Sequence, residues 1–231
     1  MSQDDLLRIF FQRTIEEDYN EKLFKRSYIL PQDEVLEYVR NLLEIPIDDF
    51  FAYMHQYNRS YSFSVREIPQ YSSLEDATIR LCYGLKEAND PGLSFVEVGE
   101  LLRHGDGIRK QGANQKYGEN HSKTAADFGL VQISPISHKI FLSAIGYVFD
   151  SLSTNEQEEY LARAVLRNSF INCILARATH QQIVLYDEMS ILSQSTIYRR
   201  MPNVKGYLRL LNGKGKELSA VIINIADNNK L

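Results

Sequence analysis

The spacing of the apolar residues is the strongest constraint on the fold of this 231-residue chain. Between Ser73 and Phe128 the apolar residues recur at intervals of three and four, which predicts three successive helices. After Gly129, which is placed to end the third helix, the runs Leu130–Ile133 and Lys139–Phe141 are typical of strands. The pattern therefore predicts a mostly helical chain with a small β-hairpin.

The order of these elements predicts a winged-helix module at residues 73–152. Ser94 is a suitable N-cap for the second helix, and the glycine-containing polar stretch Arg103–Gln115 predicts a loop before the third helix, Lys116–Phe128. The hairpin would form the wing, and Leu142–Leu152 would close the module as a further helix.

The first 72 residues have a different character and are predicted to form an acidic helical region. Helices are expected over Asp4–Tyr19 and Gln32–Leu43. The aromatic-rich stretch Asp48–Ser64 is interpreted as a helix that packs through Phe50, Phe51, Tyr53 and Tyr57, with base stacking as the alternative. Residues 1–76 hold 15 acidic and 8 basic side chains, whereas the remainder hold 15 acidic and 18 basic ones. This asymmetry indicates separate roles for the two parts.

Residues 153–231 are predicted to repeat the helix-and-wing order as a second module. Thr154–Ala176 is expected to form one long helix, and Gln182–Leu192 a short one. Ser193 would cap the helix Gln194–Leu211, which Pro202 would break or kink. The β-prone run Leu218–Ile225 would supply the second wing. The predicted architecture is thus two tandem winged-helix (helix-turn-helix) modules.

In a helix-turn-helix domain the third helix enters the major groove, so its exposed face carries polar and cationic groups. In the first module Ala125, Ala126 and Phe128 are left for the core. The DNA-binding candidates there are Arg109, Lys110, Lys116, Tyr117, Asn120, His121, Lys123 and Thr124. The other reading of this helix is an ordinary solvated surface.

The second module has the stronger charge pattern, because Ser193–Lys216 contains no Asp or Glu. Its six cations are Arg199, Arg200, Lys205, Arg209, Lys214 and Lys216. Such a run attracts phosphates and gives salt-dependent affinity. The candidates for DNA contact are Ser195, Thr196, Tyr198, Arg199, Arg200, Lys205 and Arg209. Adjacent arginines lie about 100° apart on a helix, so Arg199 and Arg200 are expected to have unequal roles.

Part of the chain also resembles a known family. Leu-Ser-Gln-Ser-Thr-Ile-Tyr-Arg-Arg at Leu192–Arg200, followed by Val204–Leu208, resembles a signature of winged-helix domains attached to some bacterial restriction endonucleases and their accessory proteins. Tyr207 replaces the usual Trp of that signature. Tyr117–Val131 is similar to the first helix-to-wing passage of those domains, and Leu142–Gly146 to their post-wing helix. The resemblance implies DNA binding in a restriction or phage-defence setting, with Ser195, Thr196, Arg199 and Arg200 in the second recognition helix.

The sequence contains none of the usual motifs of nucleases or metal-dependent enzymes, so the chain is predicted not to be an enzyme. No Asp-x-Lys or Glu-x-Lys pair of a restriction-type nuclease occurs, and the histidines lack ligand spacing. Cys82 and Cys173 are expected to be buried thiols, so no disulfide, metal or cofactor is predicted. No apolar run reaches a membrane span and the N-terminus is too acidic for a signal peptide, which predicts a cytoplasmic location.

The main prediction is therefore a protein that binds double-stranded DNA, with the acidic region 1–72 available to a protein partner. One alternative is a scaffold subunit in which winged helices serve assembly, as in accessory subunits of SMC-like complexes. A lesser alternative is a nuclease built from scattered acids such as Asp48, Asp49, Glu67 and Glu75. The sequence leaves open whether the chain forms a homodimer, which DNA sequence it recognises and whether a partner supplies a nuclease.

Overall fold

A computed structural model describes residues 2–16, 32–57, 63–70, 74, 76–88, 92–103 and 111–229. These residues are mostly helical, as predicted, with one small antiparallel sheet. The helices are α1 (Gln3–Glu16), α2 (Gln32–Glu44), α3 (Ile47–Tyr57), α4 (Leu81–Glu87), α5 (Phe95–Leu102), α6 (Gln111–Asp127), α7 (Ala144–Val148), α8 (Thr154–Val165), α9 (Ser169–Ala178), α10 (Leu185–Glu188), α11 (Gln194–Leu211) and α12 (Lys216–Asn229). The strands are β1 (Val131–Ile133) and β2 (Ile140–Leu142). A π-helical turn, Asp76–Arg80, leads into α4, and a 3₁₀ turn, Phe149–Ser151, follows α7.

The chain divides into two compact units, each built from two separate stretches. The first unit contains Met1–Leu42 and Ser73–Gln157, and the second contains Leu43–Ser72 and Glu158–Leu231. The division falls within α2 and within α8. The module boundaries at residues 72 and 152 stay predictions, since compact units need not coincide with functional modules.

The first unit contains the predicted order of three helical segments, a hairpin and a closing helix. Ser94 accepts a hydrogen bond from the Glu97 backbone N–H, and the Glu97 carboxylate accepts one from the Ser94 N–H, which forms a capping box at α5. Gly129, at φ 72°, ends α6 in a left-handed conformation that glycine adopts without strain. The strands pair with Val131 opposite Leu142. These three local predictions are confirmed.

Helices α5 and α6 approach each other closely at two glycines. A Cβ atom on Gly99 would overlap the backbone of Asn114, and one on Gly118 would overlap the carbonyl oxygen of Phe95. Glycine is therefore required at both positions by the distance between the two backbones. The contact also explains why the prediction of a loop up to Gln115 was wrong. Helix α6 begins at Gln111, because packing of its first turns on α5 outweighs the low helix propensity of Gly112.

The second unit is a helical assembly in which α12 contacts α3, α9 and α11. Large side chains fill its interior, among them Phe50, Tyr160, Phe170 and Tyr207. Phe50 and Phe51 of the aromatic-rich stretch are buried, so these two rings pack in the core. Tyr53 is half-buried, and the Tyr57 side chain lies outside the described part. The second unit therefore has an apolar core built from both of its stretches of chain.

The prediction of one long helix over Thr154–Ala176 was wrong, because the chain breaks between α8 and α9. Asn168 has extended backbone angles, and its side-chain oxygen accepts a hydrogen bond from the Ile171 N–H at 3.0 Å. Its amide nitrogen donates to the carbonyl of Glu67 at 3.0 Å. Asn168 is thus an N-cap that begins a new helix and also holds a distant segment.

The predicted second wing at Leu218–Ile225 was also wrong, because these residues lie in α12. The carboxylate of Asp48 accepts hydrogen bonds from the backbone N–H groups of Lys216, Glu217 and Leu218 at 2.8 to 3.2 Å. It thereby caps the first turn of the helix and complements its positive dipole end. Buried Leu218, Ile222 and Ile225 then share one face, so helical packing overcomes the β propensity of the run.

Candidate nucleic-acid interface

The exposed cations of α6 are paired within their own helix. Lys116 and Lys123 are both more than half exposed, and their Nζ atoms lie 3.0 Å and 2.5 Å from the two carboxylate oxygens of Glu119. The hydrogen bond from Lys123 makes the largest contribution to lowering the pKa of Glu119, and the bond from Lys116 adds to it. Because Glu119 serves both lysines, this helix presents little net positive potential.

Three polar candidates of α6 are buried rather than exposed, which corrects the expected orientation of this helix. Asn120 donates to the carbonyl of Lys116 at 2.6 Å, and Thr124 donates to that of Asn120 at 3.1 Å. The Nδ1 atom of His121 lies 2.9 Å from the carbonyl of Tyr117, and burial lowers the pKa of this histidine. Bonds to carbonyls one turn back make the burial of these side chains tolerable.

Tyr117 is the centre of a polar cluster that no local sequence pattern predicts. Its hydroxyl donates to a carboxylate oxygen of Asp76 at 2.7 Å. The guanidinium of Arg103 lies 3.9 Å from the ring centroid, and the His121 ring lies 4.0 Å from it. Burial and the bond to Asp76 raise the pKa of Tyr117 to about 12. Contacts within the first unit therefore fix the Tyr117 side chain. The candidates Arg109 and Lys110 lie outside the described residues.

The exposed face of α11 presents several of the predicted residues. The helix runs without interruption for 18 residues through Pro202, so the predicted break does not occur. Ser195, Arg199 and Arg209 are exposed, and Tyr198 is 64% exposed. Thr196 and Lys205 are half-buried at the edges. Neither Arg199 nor Arg209 makes an ion pair within the part of the chain that the structure describes.

Arg200 is only 9% exposed, so the expectation that its side chain lies on the exposed face was wrong. Its Nη1 atom donates to the carbonyls of Val65 and Ile68 at 2.8 Å and 3.1 Å. Arg199 and Arg200 are placed differently on the helix, because one guanidinium is exposed and the other binds the protein. Their unequal roles in DNA binding stay a prediction. The carbonyls that bind Arg200 belong to a segment that lies 132 to 135 residues away in the sequence.

The other cations of the acid-free run are also partly engaged. Lys205 donates to the carbonyl of Asn229 at 2.6 Å, near the negative end of the α12 dipole. Lys214 lies 2.8 Å from Glu159 and 3.8 Å from Glu158. Of the six cations, Arg199, Arg209 and Lys216 are the exposed ones. The run is acid-free in sequence, but folding brings acids from α8 to Lys214.

A short helix and a turn lead into α11. The short helix α10 contacts α11, and residues 189–193 join them. Ser193 occupies the N-cap position predicted for it, although its hydroxyl contacts Thr196 Oγ1 at 2.9 Å rather than a backbone N–H. The exposed rings of Tyr186 and Tyr198 lie 6.2 Å apart across the turn. An exposed aromatic pair thus lies beside Arg199.

We expect that Arg200→Ala lowers the free energy of unfolding of the second unit by about 2 kcal/mol, because two carbonyls lose their donor. Chemical denaturation followed by circular dichroism measures the change. Arg199→Ala, at the exposed neighbouring position, should change the stability by less than about 0.5 kcal/mol. Equal stability losses in the two variants would contradict the different placement of these arginines.

Among the described residues, no cluster of His, Cys, Asp or Glu has the geometry of a metal site. In the same part of the chain, no helix has both the length and the apolar character that crossing a membrane requires. Cys82 and Cys173 are buried free thiols, as predicted. Comparison of the chain with protein-family models, with curated proteins and with solved structures gave no match.

Proposed function

We propose that the chain binds duplex DNA through the exposed face of α11 in the second unit. The observation that carries the proposal is the outward placement of Arg199 and Arg209 on a long helix that contains no acidic residue. The Lys116 and Lys123 face of α6 is the weaker candidate, because Glu119 pairs with both lysines.

The geometry of α11 suits a groove. At 100° per residue, the exposed positions 195, 198, 199, 202 and 209 and the half-buried position 206 fall within an arc of about 100°. Arg199 and Arg209 are separated by about 15 Å along the axis, at 1.5 Å per residue. The major groove admits a helix, so the central positions would face base edges while the arginines reach bases or phosphates. A Cβ on Gly206 would meet nothing within 4 Å, so the middle of this face is open to a partner.

The proposed architecture is one winged-helix-like unit and one helix-turn-helix unit. The first unit supports this description through its order of α4, α5, α6, hairpin and α7. In the second unit, α10 and α11 supply the helix-turn-helix, and α12 occupies the place expected for a wing. The resemblance to restriction-associated winged-helix domains suggests a restriction or phage-defence setting. In this proposal the chain recognises DNA and catalyses nothing itself.

The test is fluorescence anisotropy of a labelled duplex of mixed sequence over a series of salt concentrations. Wild-type protein is expected to bind at about 50 mM salt, with affinity that falls steeply as salt rises, because bound arginines release counterions. Arg199→Ala should weaken binding by about 1–3 kcal/mol, whereas Lys123→Ala should leave it nearly unchanged. Absence of wild-type binding at about 50 mM salt would overturn the proposal.

The exposed aromatic pair favours a second candidate, a scaffold that binds another protein. Tyr186, Ile191 and Tyr198 are all exposed around the turn between α10 and α11. Exposed aromatic residues beside an arginine are also typical of protein interfaces. In that case DNA would not bind, and Tyr198→Ala would weaken capture of a protein partner instead. The DNA titration separates the two functions.

A further inference from the structure

We infer that Arg66, on the turn Ser64–Ile68, is a second phosphate contact beside α11. This inference rests on the proposed function and extends its binding surface to a segment far away in the sequence. Arg66 is exposed and makes no ion pair with any residue of the described ranges. Nothing in its sequence surroundings singles it out, because Arg66 is an isolated arginine followed by Glu67.

The turn that carries Arg66 is held against α11 by Arg200. The guanidinium of Arg200 binds the carbonyls of Val65 and Ile68, which flank Arg66 and Glu67 in the chain. Arg200 directly follows Arg199, so the turn lies against the side of α11 next to its exposed face. Arg66 and Arg199 therefore belong to neighbouring parts of one surface of the second unit.

Several further contacts hold the turn in one conformation. The Asn168 amide donates to the carbonyl of Glu67 at 3.0 Å, and the rings of Phe63 and Phe170 meet edge to face at 4.8 Å. The Glu67 N–H donates to the carbonyl of Ser64 at 3.1 Å, and the Glu67 carboxylate accepts from the Ser64 N–H. The one acidic side chain of the turn is therefore engaged by its own backbone. Arg66 is presented from a braced position, which reduces the entropy lost on binding.

The charge at this surface favours a polyanion. Arg66, Arg199 and Arg209 are exposed, and Arg200 adds a positive charge behind the turn. Duplex DNA carries about one phosphate charge per 1.7 Å of its axis, so cations on neighbouring parts of one surface can meet phosphates together. The turn would then touch the backbone at the edge of the groove that α11 enters, and Arg200 acts as a positioning residue that holds it there.

The experiment compares Arg66→Ala, Arg66→Lys and Arg199→Ala in the anisotropy titration with labelled duplex DNA. Arg66→Ala should weaken binding about threefold to tenfold and reduce the slope of log affinity against log salt by about one, the change expected for one phosphate contact. Arg66→Lys should keep the wild-type slope, because a phosphate contact needs charge more than the guanidinium shape. The thermal unfolding temperature of the Arg66 variants should equal that of wild type, because the side chain is exposed.

The matched control is Arg8→Ala, which removes an exposed arginine of the first unit that pairs with Asp5. This variant should bind DNA as wild type does. The role of Arg66 would be overturned if Arg66→Ala kept the wild-type affinity and salt slope while Arg199→Ala weakened binding. The proposed function would still stand in that case. Absence of DNA binding by the wild-type protein would overturn both.

Discussion

Replacing Gly118 by alanine is expected to lower the free energy of unfolding of the first unit by about 3 kcal/mol, at the upper end of the usual cost of overpacking. A Cβ at this position would overlap the carbonyl oxygen of Phe95 and approach the backbone nitrogen of Gly99. Backbone atoms cannot rotate away as the end of a side chain can. Helices α5 and α6 would have to separate, with loss of packing along their contact.

Gly112→Ala is the matched control, because Gly112 lies in the same helix and an added Cβ would meet nothing within 4 Å. This change should be neutral or stabilise the protein by up to about 1 kcal/mol. Hydrogen exchange of the amides in α5 and α6 locates the effect, since local opening becomes easier when packing is lost. Equal protection in Gly118→Ala and Gly112→Ala would contradict the close approach of the two helices.

Replacing Arg163 by alanine is expected to cost the second unit about 3 kcal/mol, because it removes a buried guanidinium that binds two backbone carbonyls and the partly buried Glu159. Arg163 is 4% exposed, and its Nη1 atom lies 2.7 Å from a carboxylate oxygen of Glu159. Its Nη2 atom donates to the carbonyls of Leu43 and Ile45 at 3.0 Å and 2.8 Å, at the end of α2. The substitution leaves those carbonyls without this donor and opens a cavity beside Phe50.

This loss of stability should also depend on pH. Burial alone raises the pKa of Glu159, but hydrogen bonds from Lys214 and Arg163 outweigh it and lower the pKa overall. A carboxyl group with a lowered pKa stabilises the folded state above its ordinary pKa of about 4.3, and this contribution disappears as pH falls through the folded value. The difference between wild type and Arg163→Ala should therefore be larger at neutral pH than in acid.

Denaturant unfolding at neutral and acidic pH measures both effects. Arg40→Ala is the control, because it also removes an arginine ion pair, with Glu156, but its guanidinium side chain is 54% exposed. Exposed pairs contribute about 0–1 kcal/mol, so this variant should stay close to wild type. A loss in Arg163→Ala no larger than that in Arg40→Ala would mean that the buried arrangement contributes little.

The Arg199 titration tests the proposed function, and Arg163→Ala tests the packing of the second unit, which contains α11. Because the proposed DNA face consists of few exposed cations, loss of one arginine should be visible in the salt dependence of binding. In the first unit, by contrast, the polar residues Asn120, His121 and Thr124 of α6 are buried and bind backbone carbonyls of the same helix. We therefore expect the second unit to contribute most of the affinity.

Local residue chemistry was enough to predict several elements from the sequence. Ser94 predicted the start of α5, Gly129 predicted the end of α6, and the β-prone runs on either side of Ser134–Ser137 predicted the hairpin. Each of these signals acts within a few residues, through a cap, a left-handed turn or strand periodicity. Local patterns also predicted the helical character of the chain. The 100° turn per residue of a helix predicted that Arg199 and Arg200 point in different directions.

Contacts between distant residues decided what the local patterns could not. Asp48 caps α12 from 168 to 170 residues away, and so a β-prone run became a helix. The glycine contact of α5 with α6 extended α6 over a predicted loop, and acids from α8 engaged Lys214. A helix fixes the angle between Arg199 and Arg200, but which of them turns inward depends on carbonyls supplied by Val65 and Ile68. The sequence alone therefore determined the helical character of the chain, the start of α5, the end of α6 and the hairpin. Tertiary packing determined where several other helices begin and end and which of the predicted DNA-binding residues face solvent, because burial depends on partners that sequence spacing does not reveal.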